Sequence, residues 1–333
     1  MAYRIDPREP TNVELRRVIG EQIGRAVEAL RVPGGPDSDS VHEVRKRLKK
    51  ARSAVRLGRA DLGSAVAKHA NAELRRVGAD LAQQRDADAL VEAVDRLIVA
   101  NGGQVGPTID ALDVVRRLVV GRADVVRLEG PLQRATVIGA ARTLEQTVAW
   151  LELVPPQVSG WKALGPGLGR EYGRGLRLWK DLPAEPSVEQ LHEWRKRVKD
   201  LWYHQRLLRR LWTEGQRPVV EAADELASTL GADRDLGLLF AHLIPDAASV
   251  REGVAPIEPL SVDIQTGQLV ADAASALRAA FQARARELGS RLYADSPAAW
   301  ASRHGAWWDG AARRAHAVSD PVAADPSLLG TTA

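Results

Sequence analysis

The stretch SVHEVRKRLKKARSAVRL, residues 40–57, carries seven Lys and Arg side chains against a single Glu. A related stretch, VEQLHEWRKRVKDLWYHQRLLRR, occupies residues 188–210 and concentrates basic side chains in the same way. A run of like charges is commonly a solvated helix face, but it can also form a surface that binds a polyanion. The spacing of the charges and their repetition distinguish these two interpretations.

Spacing in the first stretch places one set of cations beside the apolar face of a helix. At about 100° per residue, the first basic row borders that face and contains His42, Arg45, Lys49, Arg52 and Arg56. The remaining cations are expected to point outward, namely Lys46, Arg47 and Lys50. Cations three and four residues apart repel one another when no partner is present. A row without intervening acids therefore favours an anionic ligand.

The second stretch repeats this arrangement. The second basic row contains His192, Arg195, Lys199 and Arg206, with Trp202 among them. The motif recurs at an interval of 150 residues, and LAQQRDADAL (residues 81–90) resembles LGADRDLGLL (residues 230–239). These matches predict an internal duplication. The join is expected near VPPQVSG, residues 154–160, giving halves 1–157 and 158–320, with a disordered tail at 321–333.

The rest of the chain has helical periodicity. Apolar residues recur at three- and four-residue spacing, and no convincing period-2 strand is present. We therefore predict an all-α fold of two pseudo-symmetric helical bundles, with the two basic rows facing one another across a central basic channel. Ser40 and Ser187, with Glu43 and Gln190 three positions later, are predicted to form capping boxes at the two basic helices.

Composition excludes several classes of protein. Hydrophobic residues make up 45% of the 333 residues and charged residues 27%, which is enough for a sizeable core. Without cysteine, the chain has neither disulfides nor thiolate metal ligands. The charged N-terminus lacks the apolar region of a secretory signal, and no apolar run has the length of a membrane span. We expect a cytoplasmic protein without a membrane association.

A third basic segment, GPGLGREYGRGLRLWK at residues 165–180, adds to the cations. It places Arg170, Arg174 and Arg177 on one helix face, with Tyr172 nearby. Its glycine-rich entry could offer backbone N–H groups to an anion, although glycines also serve plain turns.

The doubled pattern His-x-x-Arg-x-x-x-(Lys/Arg), together with GLGREYGRGLR and the closing segment 291–314, resembles the CHAD family, the conserved histidine α-helical domain. The resemblance covers roughly residues 8–318. It implies two helical subdomains around a basic cavity that binds inorganic polyphosphate, with possible attachment to polyphosphate granules and no catalytic activity. The second copy departs from the pattern at Asp200 and Trp202, so that half is expected to contribute fewer contacts.

Other functions find less support. No HExxH, P-loop or ExExK pattern is present, so we expect no enzyme activity, cofactor or metal. The alternatives are a nucleic-acid-binding protein, since basic helices bind phosphates of any origin, and a histidine phosphoacceptor helix. Specific nucleic-acid binding is disfavoured because base-reading Asn and Gln are nearly absent from the rows. Whether His42 and His192 are ligands or structural stays open. Secondary site candidates are Arg85, Arg234 and Tyr203.

Overall fold

The computed structural model describes residues 3–81, 85–102, 105–128, 134–244 and 259–319, and all regular structure in these segments is helical. The predicted all-α fold is confirmed. In chain order the helices are α1 (Thr11–Leu30), α2 (Ser38–Leu57), α3 (Arg59–Leu62), α4 (Ser64–Asp80), α5 (Arg85–Ala100), α6 (Pro107–Leu128), α7 (Arg134–Glu152), α8 (Trp161–Lys180), α9 (Val188–Leu208), α10 (Thr213–Leu243), α11 (Ile264–Leu292) and α12 (Pro297–Ser319).

Helices α1, α2, α4 and α7 pack together in the first half of the chain. Each contributes apolar residues at helical spacing; α1, for example, buries Leu15, Val18, Ile19 and Ile23. In the second half, α9 and α10 pack together, as do α8 and α12, and α10 also lies along α11. Helix α9 buries Trp194 at its centre.

The two halves share their apolar cores. The larger core joins residues of α1 and α2 to residues of α8, α9 and α12. A second core joins the α5–α6 pair of the first half to α10 and α11 of the second half. The stretch between α7 and α8 lies where the sequence places the join between halves. The domain boundary at 157/158 and the duplication stay predictions, and the tail 321–333 lies outside the described residues.

One of the two predicted capping boxes is confirmed. Ser187 accepts a hydrogen bond from the backbone N–H of Gln190, whose side chain accepts from the N–H of Ser187. The prediction for Ser40 is wrong, because α2 begins two residues earlier and its cap is Asp37, which accepts from the N–H of Ser40 at 2.8 Å. A carboxylate at this position also complements the positive end of the helix dipole.

The N-terminal segment, residues 3–10, crosses from α1 to α9. The backbone N–H of Ile5 donates to the carbonyl of Leu207 at 2.9 Å, and the Tyr3 hydroxyl donates to the carbonyl of Lys50 at 3.0 Å. This segment therefore connects the two basic helices, α2 and α9, which also contact each other directly. None of the helices in the described segments combines the length and the apolarity that crossing a membrane would need.

Candidate anion-binding site

The first basic row lies on α2, where four of its members are half-buried and His42 is exposed. The guanidinium of Arg45 donates to the carbonyl of Leu81 at 3.2 Å. Arg52 Nε and Arg56 Nη1 both donate to Asn71 Oδ1 on α4, at 3.1 and 2.8 Å. Neutral oxygens thus help to hold these guanidiniums in place.

The cluster between α2 and α9 centres on Asp200, which is only 3% exposed. Its carboxylate pairs with Arg56 of α2 and with Arg197 of α9, the latter at 3.1 Å. Burial opposes ionisation of Asp200, but the charges of Arg56 and Arg197 outweigh it and lower the pKa of this carboxyl. Asp200 is therefore a charged link between the two basic helices.

Helix α8 joins the cluster through a second buried carboxylate. Glu171 is 2% exposed and accepts from Arg170 Nε at 3.0 Å, Arg174 Nη1 at 3.4 Å and Arg197 Nη1 at 3.3 Å. Arg170 also donates to the backbone carbonyl of Arg56 at 2.8 Å. Two carboxylates therefore bind four guanidiniums from three helices, those of Arg56, Arg170, Arg174 and Arg197, and a fifth guanidinium, that of Arg52, shares Asn71 with Arg56.

Crowding in this cluster affects Arg52 most clearly. Burial, followed by repulsion from Arg56, lowers the pKa of Arg52 to about 10. The guanidinium is still charged at neutral pH, but its charge is incompletely compensated. Arg177, one turn further along α8 than Arg174, is exposed to solvent.

The second basic row has a different support. Lys199 Nζ lies 4.3 Å and the Arg206 guanidinium carbon 4.7 Å from the centre of the Trp202 ring. Lys199 also lies 3.9 Å from a carboxylate oxygen of Asp224. Trp202 has the position in the motif that Arg52 has in the first stretch, so an aromatic ring stands there in α9 where α2 has a cation. Cation–π contacts fix the two neighbouring cations while leaving their charge intact.

At the start of α9, His192 is half-buried and Arg195 donates to the carbonyl of Ala227 at 3.2 Å. Burial, followed by repulsion from Lys196 and Arg234, lowers the pKa of His192 to about 4. Its ring is therefore neutral at pH 7 in the free protein. The Nδ1 atom of His192 is buried without a hydrogen-bond partner among the described residues.

Two cations expected to point outward do not. Arg47 pairs with Glu43 and donates to Gln22 of α1 at 3.2 Å, and Lys50 is only 6% exposed, with its ammonium 5.6 Å from the centre of the Tyr3 ring. The prediction for these two is wrong because α1 and the N-terminal segment cover that side of α2. Lys46 is exposed, as predicted.

The glycines of α8 serve packing between helices. The helix begins at Trp161, so the glycine-rich run lies inside it and cannot be an anion-binding entry. A Cβ on Gly167 would overlap the carbonyl of Leu57, and one on Gly175 would overlap the Tyr293 hydroxyl. Tyr172 is buried as well, stacked on Trp300 with ring centres 4.5 Å apart.

Of the secondary candidates, Arg234 and Tyr203 both have partners within the protein. Arg234 pairs with Asp235 at 3.4 Å. Tyr203 is buried against Trp202 and Tyr3, and burial raises its pKa to about 12. Arg85 begins α5, but its side chain lies outside the described part of the chain.

Sequence reasoning missed four residues of the site: Lys50, Glu171, Arg197 and Asp200. The burial and the partners of Glu171, Asp200 and Lys50 depend on contacts between segments distant in sequence, which a local pattern does not show. Arg197 had a sequence signal, since it belongs to the repeated motif.

Elsewhere in the molecule, a cavity of about 630 Å³ lies between the start of α10 and α12 and is lined by Trp212, Trp307 and Arg314 among others. No member of the basic rows lines it. Among the described residues, no group of three or more His, Asp and Glu side chains is arranged to hold a metal ion.

The fold and this site define a class of protein: an all-α protein in which arginines from three helices gather around two buried carboxylates. The CHAD domain family model matches residues 18–244, so the chain belongs to the CHAD domain family. Comparison with curated proteins gave no match. Among solved structures, PptA from Streptomyces chartreusis is similar, with a TM-score of 0.55 and 18% identity, over 86% of this chain and 100% of PptA. At this identity, the likeness concerns the fold alone.

Proposed function

We propose that this chain binds inorganic polyphosphate through the basic surface that α2, α8 and α9 form, and that it does so without catalysis. The observation that carries the proposal is the excess of arginines over acids: four arginines from these helices bond to only two carboxylates, and Arg52 lies beside them on Asn71. Membership of the CHAD family supports it. In this proposal the two halves descend from a duplication, and their rows line one continuous channel.

The chemistry of the site fits a long, flexible polyanion. Guanidiniums offer paired N–H donors to phosphate oxygens, and lysines act as point charges. A chain with a negative charge on each phosphate can follow cations on several helices, whereas a compact anion reaches only a few of them. Because the arginines are already positioned by Asn71, Glu171 and Asp200, little side-chain freedom is lost on binding.

The groups that would have to act as catalysts are occupied. Glu171 and Asp200 are held by guanidiniums, and the lowered pKa of Asp200 makes it a weak base. His192 lies among cations that disfavour its protonation, so it is a poor proton donor at neutral pH. We therefore assign the site a binding role, and granule attachment in the cytoplasm would be its cellular counterpart.

The decisive experiment is competition. Calorimetry with long-chain polyphosphate should give tighter binding than ATP, pyrophosphate or duplex DNA at equal phosphate concentration. Log affinity should fall linearly with log salt, with a slope steeper than about −3. If duplex DNA competes as well as polyphosphate does, the nucleic-acid alternative should replace this proposal.

A matched pair of variants locates the binding surface. Arg45→Glu with Arg195→Glu reverses one half-buried cation in each row and should abolish binding. Lys46→Glu with Lys196→Glu reverses the adjacent exposed lysines, which pair with Glu43 and Glu193, and should weaken binding only slightly. Circular dichroism should show unchanged helicity in both. Equal losses would show that overall charge, and not the rows, governs binding.

A further inference from the structure

The crossing of α2 and α9 is electrically asymmetric. In the alignment of the two copies, Arg56 corresponds to Arg206 and Asp200 corresponds to Lys50. Arg56 of α2 meets Asp200 of α9 as an ion pair. Arg206 of α9 instead lies near enough to Lys50 of α2 for the two cations to repel each other. One corner of the crossing therefore holds an ion pair, and the equivalent corner holds two like charges.

Three aromatic rings hold the like-charge corner together. The Lys50 ammonium lies 5.6 Å from the centre of Tyr3, whose ring centre is 6.1 Å from that of Tyr203. Tyr203 in turn lies 4.8 Å from Trp202, and Trp202 supports Arg206 at 4.7 Å. The rings fix both cations from the protein side and supply no negative charge.

No carboxylate of the described segments pairs with either of these two cations. Within the described segments, neither Lys50 nor Arg206 has an acidic oxygen within 4 Å, and Glu43, on the same helix as Lys50, is engaged by Lys46 and Arg47. Burial, followed by repulsion from Arg47, Arg206 and Lys46, lowers the pKa of Lys50 to about 8, while Glu43 acts weakly in the other direction. Two adjacent cations with no acid between them are an arrangement that an anion would stabilise.

We propose that Lys50 and Arg206 form a subsite that binds one phosphate group of the polyphosphate chain, and that the Arg56–Asp200 corner does not. This subsite rests on the proposed function, and it specifies which corner of the α2–α9 crossing holds the bound chain. The two corners lie six residues apart on each helix, which is about 9 Å along the axis. A bound chain is therefore held at the Lys50 corner and runs past the Arg56–Asp200 corner.

Proton uptake follows from this arrangement. A phosphate beside Lys50 raises its pKa from about 8 towards the usual 10.5, so the complex holds a proton that part of the free protein has lost at pH 9. Affinity is then highest below pH 8 and falls as the pH rises between the free and bound pKa values. Burial raises the pKa of Tyr3 well above its usual value, so the Tyr3 hydroxyl stays neutral over this range.

The test is calorimetry of long-chain polyphosphate at pH 9 in two buffers of different ionisation enthalpy. The wild-type chain should take up a sizeable fraction of one proton per complex. Lys50→Met keeps the buried aliphatic volume, removes the charge, and should abolish most of this uptake while weakening binding about tenfold. The matched control is Lys46→Met, one turn earlier on α2 and exposed, which should change affinity less than about twofold.

A second variant guards against a folding defect in the first. Arg206→Met removes the other cation, so it should weaken binding to a similar extent and, by relieving repulsion, raise the pKa of free Lys50 and reduce proton uptake at pH 9. If both variants bind polyphosphate with the affinity and the proton uptake of the wild type, the subsite is refuted, although the proposed function still stands. Failure of the wild-type chain to bind polyphosphate would instead refute the proposed function.

Discussion

Helices α2 and α9 have the same motif and nearly the same cations, yet their cations have different partners. In α2, Arg52 and Arg56 both donate to Asn71 Oδ1, and Arg56 also pairs with Asp200. In α9, Lys199 and Arg206 lie on the face of Trp202. The comparison teaches that a repeat can preserve a row of charges while the groups that position or neutralise them diverge.

The comparison also changes which half of the site Asp200 is expected to affect. From the sequence, an acid in the second copy is expected to weaken the second half of the site. In the structure, Asp200 faces across to α2 and neutralises Arg56, which belongs to the first half. In the second row, Arg206 lies instead on the ring of Trp202, and Lys199 lies on the same ring and 3.9 Å from Asp224.

The largest expected effect is on stability. Asp200→Ala leaves Arg56 and Arg197 without their shared carboxylate, so the free energy of unfolding should fall by about 3–5 kcal/mol. The equivalent change in the first copy, Lys50→Ala, removes a repelled charge and should cost less, because only packing is lost. Urea denaturation followed by circular dichroism measures both. A smaller loss for Asp200→Ala than for Lys50→Ala would contradict the assigned asymmetry.

The next effect is on affinity, and it compares two equivalent arginines. Arg206→Gln should weaken polyphosphate binding about tenfold, because no acid in the described part of the chain pairs with this guanidinium. Arg56→Gln should weaken binding less than about threefold, because Asp200 already neutralises Arg56. Fluorescence anisotropy with labelled polyphosphate, on samples whose folding is confirmed by circular dichroism, gives the ratio. A greater loss of affinity from Arg56→Gln would place the bound chain at the Arg56–Asp200 corner and contradict the Lys50–Arg206 subsite.

A smaller effect should follow from removing the aromatic support. Trp202→Ala leaves Lys199 and Arg206 charged but unsupported, and each cation–π contact contributes about 0.5–1 kcal/mol. We expect polyphosphate affinity to fall about threefold to tenfold, measured in the same assay. Trp202→Phe retains a ring and should recover most of the affinity. If Trp202→Ala and Trp202→Phe lose the same affinity, the indole contributes through core packing and not through its contacts with the cations.

The smallest effect concerns how stability depends on pH, and it compares the equivalent histidines His192 and His42. Because the pKa of His192 is about 4 in the folded protein and near 6.5 when unfolded, the unfolded chain binds more protons, and stability should fall as the pH drops from 6.5 towards 4. His192→Gln should flatten part of this decline in thermal melts between pH 7 and pH 5. The buried His204 and His304, whose pKa values burial also lowers, should maintain the remainder.

His42→Gln is the matched control for that measurement. His42 holds the equivalent position in α2 but is exposed, so its replacement should change the pH dependence of stability less than His192→Gln does. A larger effect at His42 would show that the exposed histidine, and not the half-buried one, is linked to folding.

Periodicity within a single helix predicted part of the site well. It placed Arg45, Arg52 and Arg56 at the border of the apolar face of α2, where the structure has them half-buried. It failed for Lys50, because the N-terminal segment covers that position from 47 residues away along the chain. It failed also for the α8 glycines, which a local pattern cannot distinguish from a loop.

By itself, the sequence determined that the protein is all-α, that two basic helices have one motif in common, and that the chain resembles the CHAD family. These are local properties, since helical periodicity and charge spacing are set within a few turns. Only the tertiary structure decided which cation is neutralised and which is not. The Arg56–Asp200 pair joins residues 144 positions apart, and the burial of Lys50 depends on a third segment. The strength of a charge depends on its surroundings in space, and those are set by the packing of helices distant in sequence.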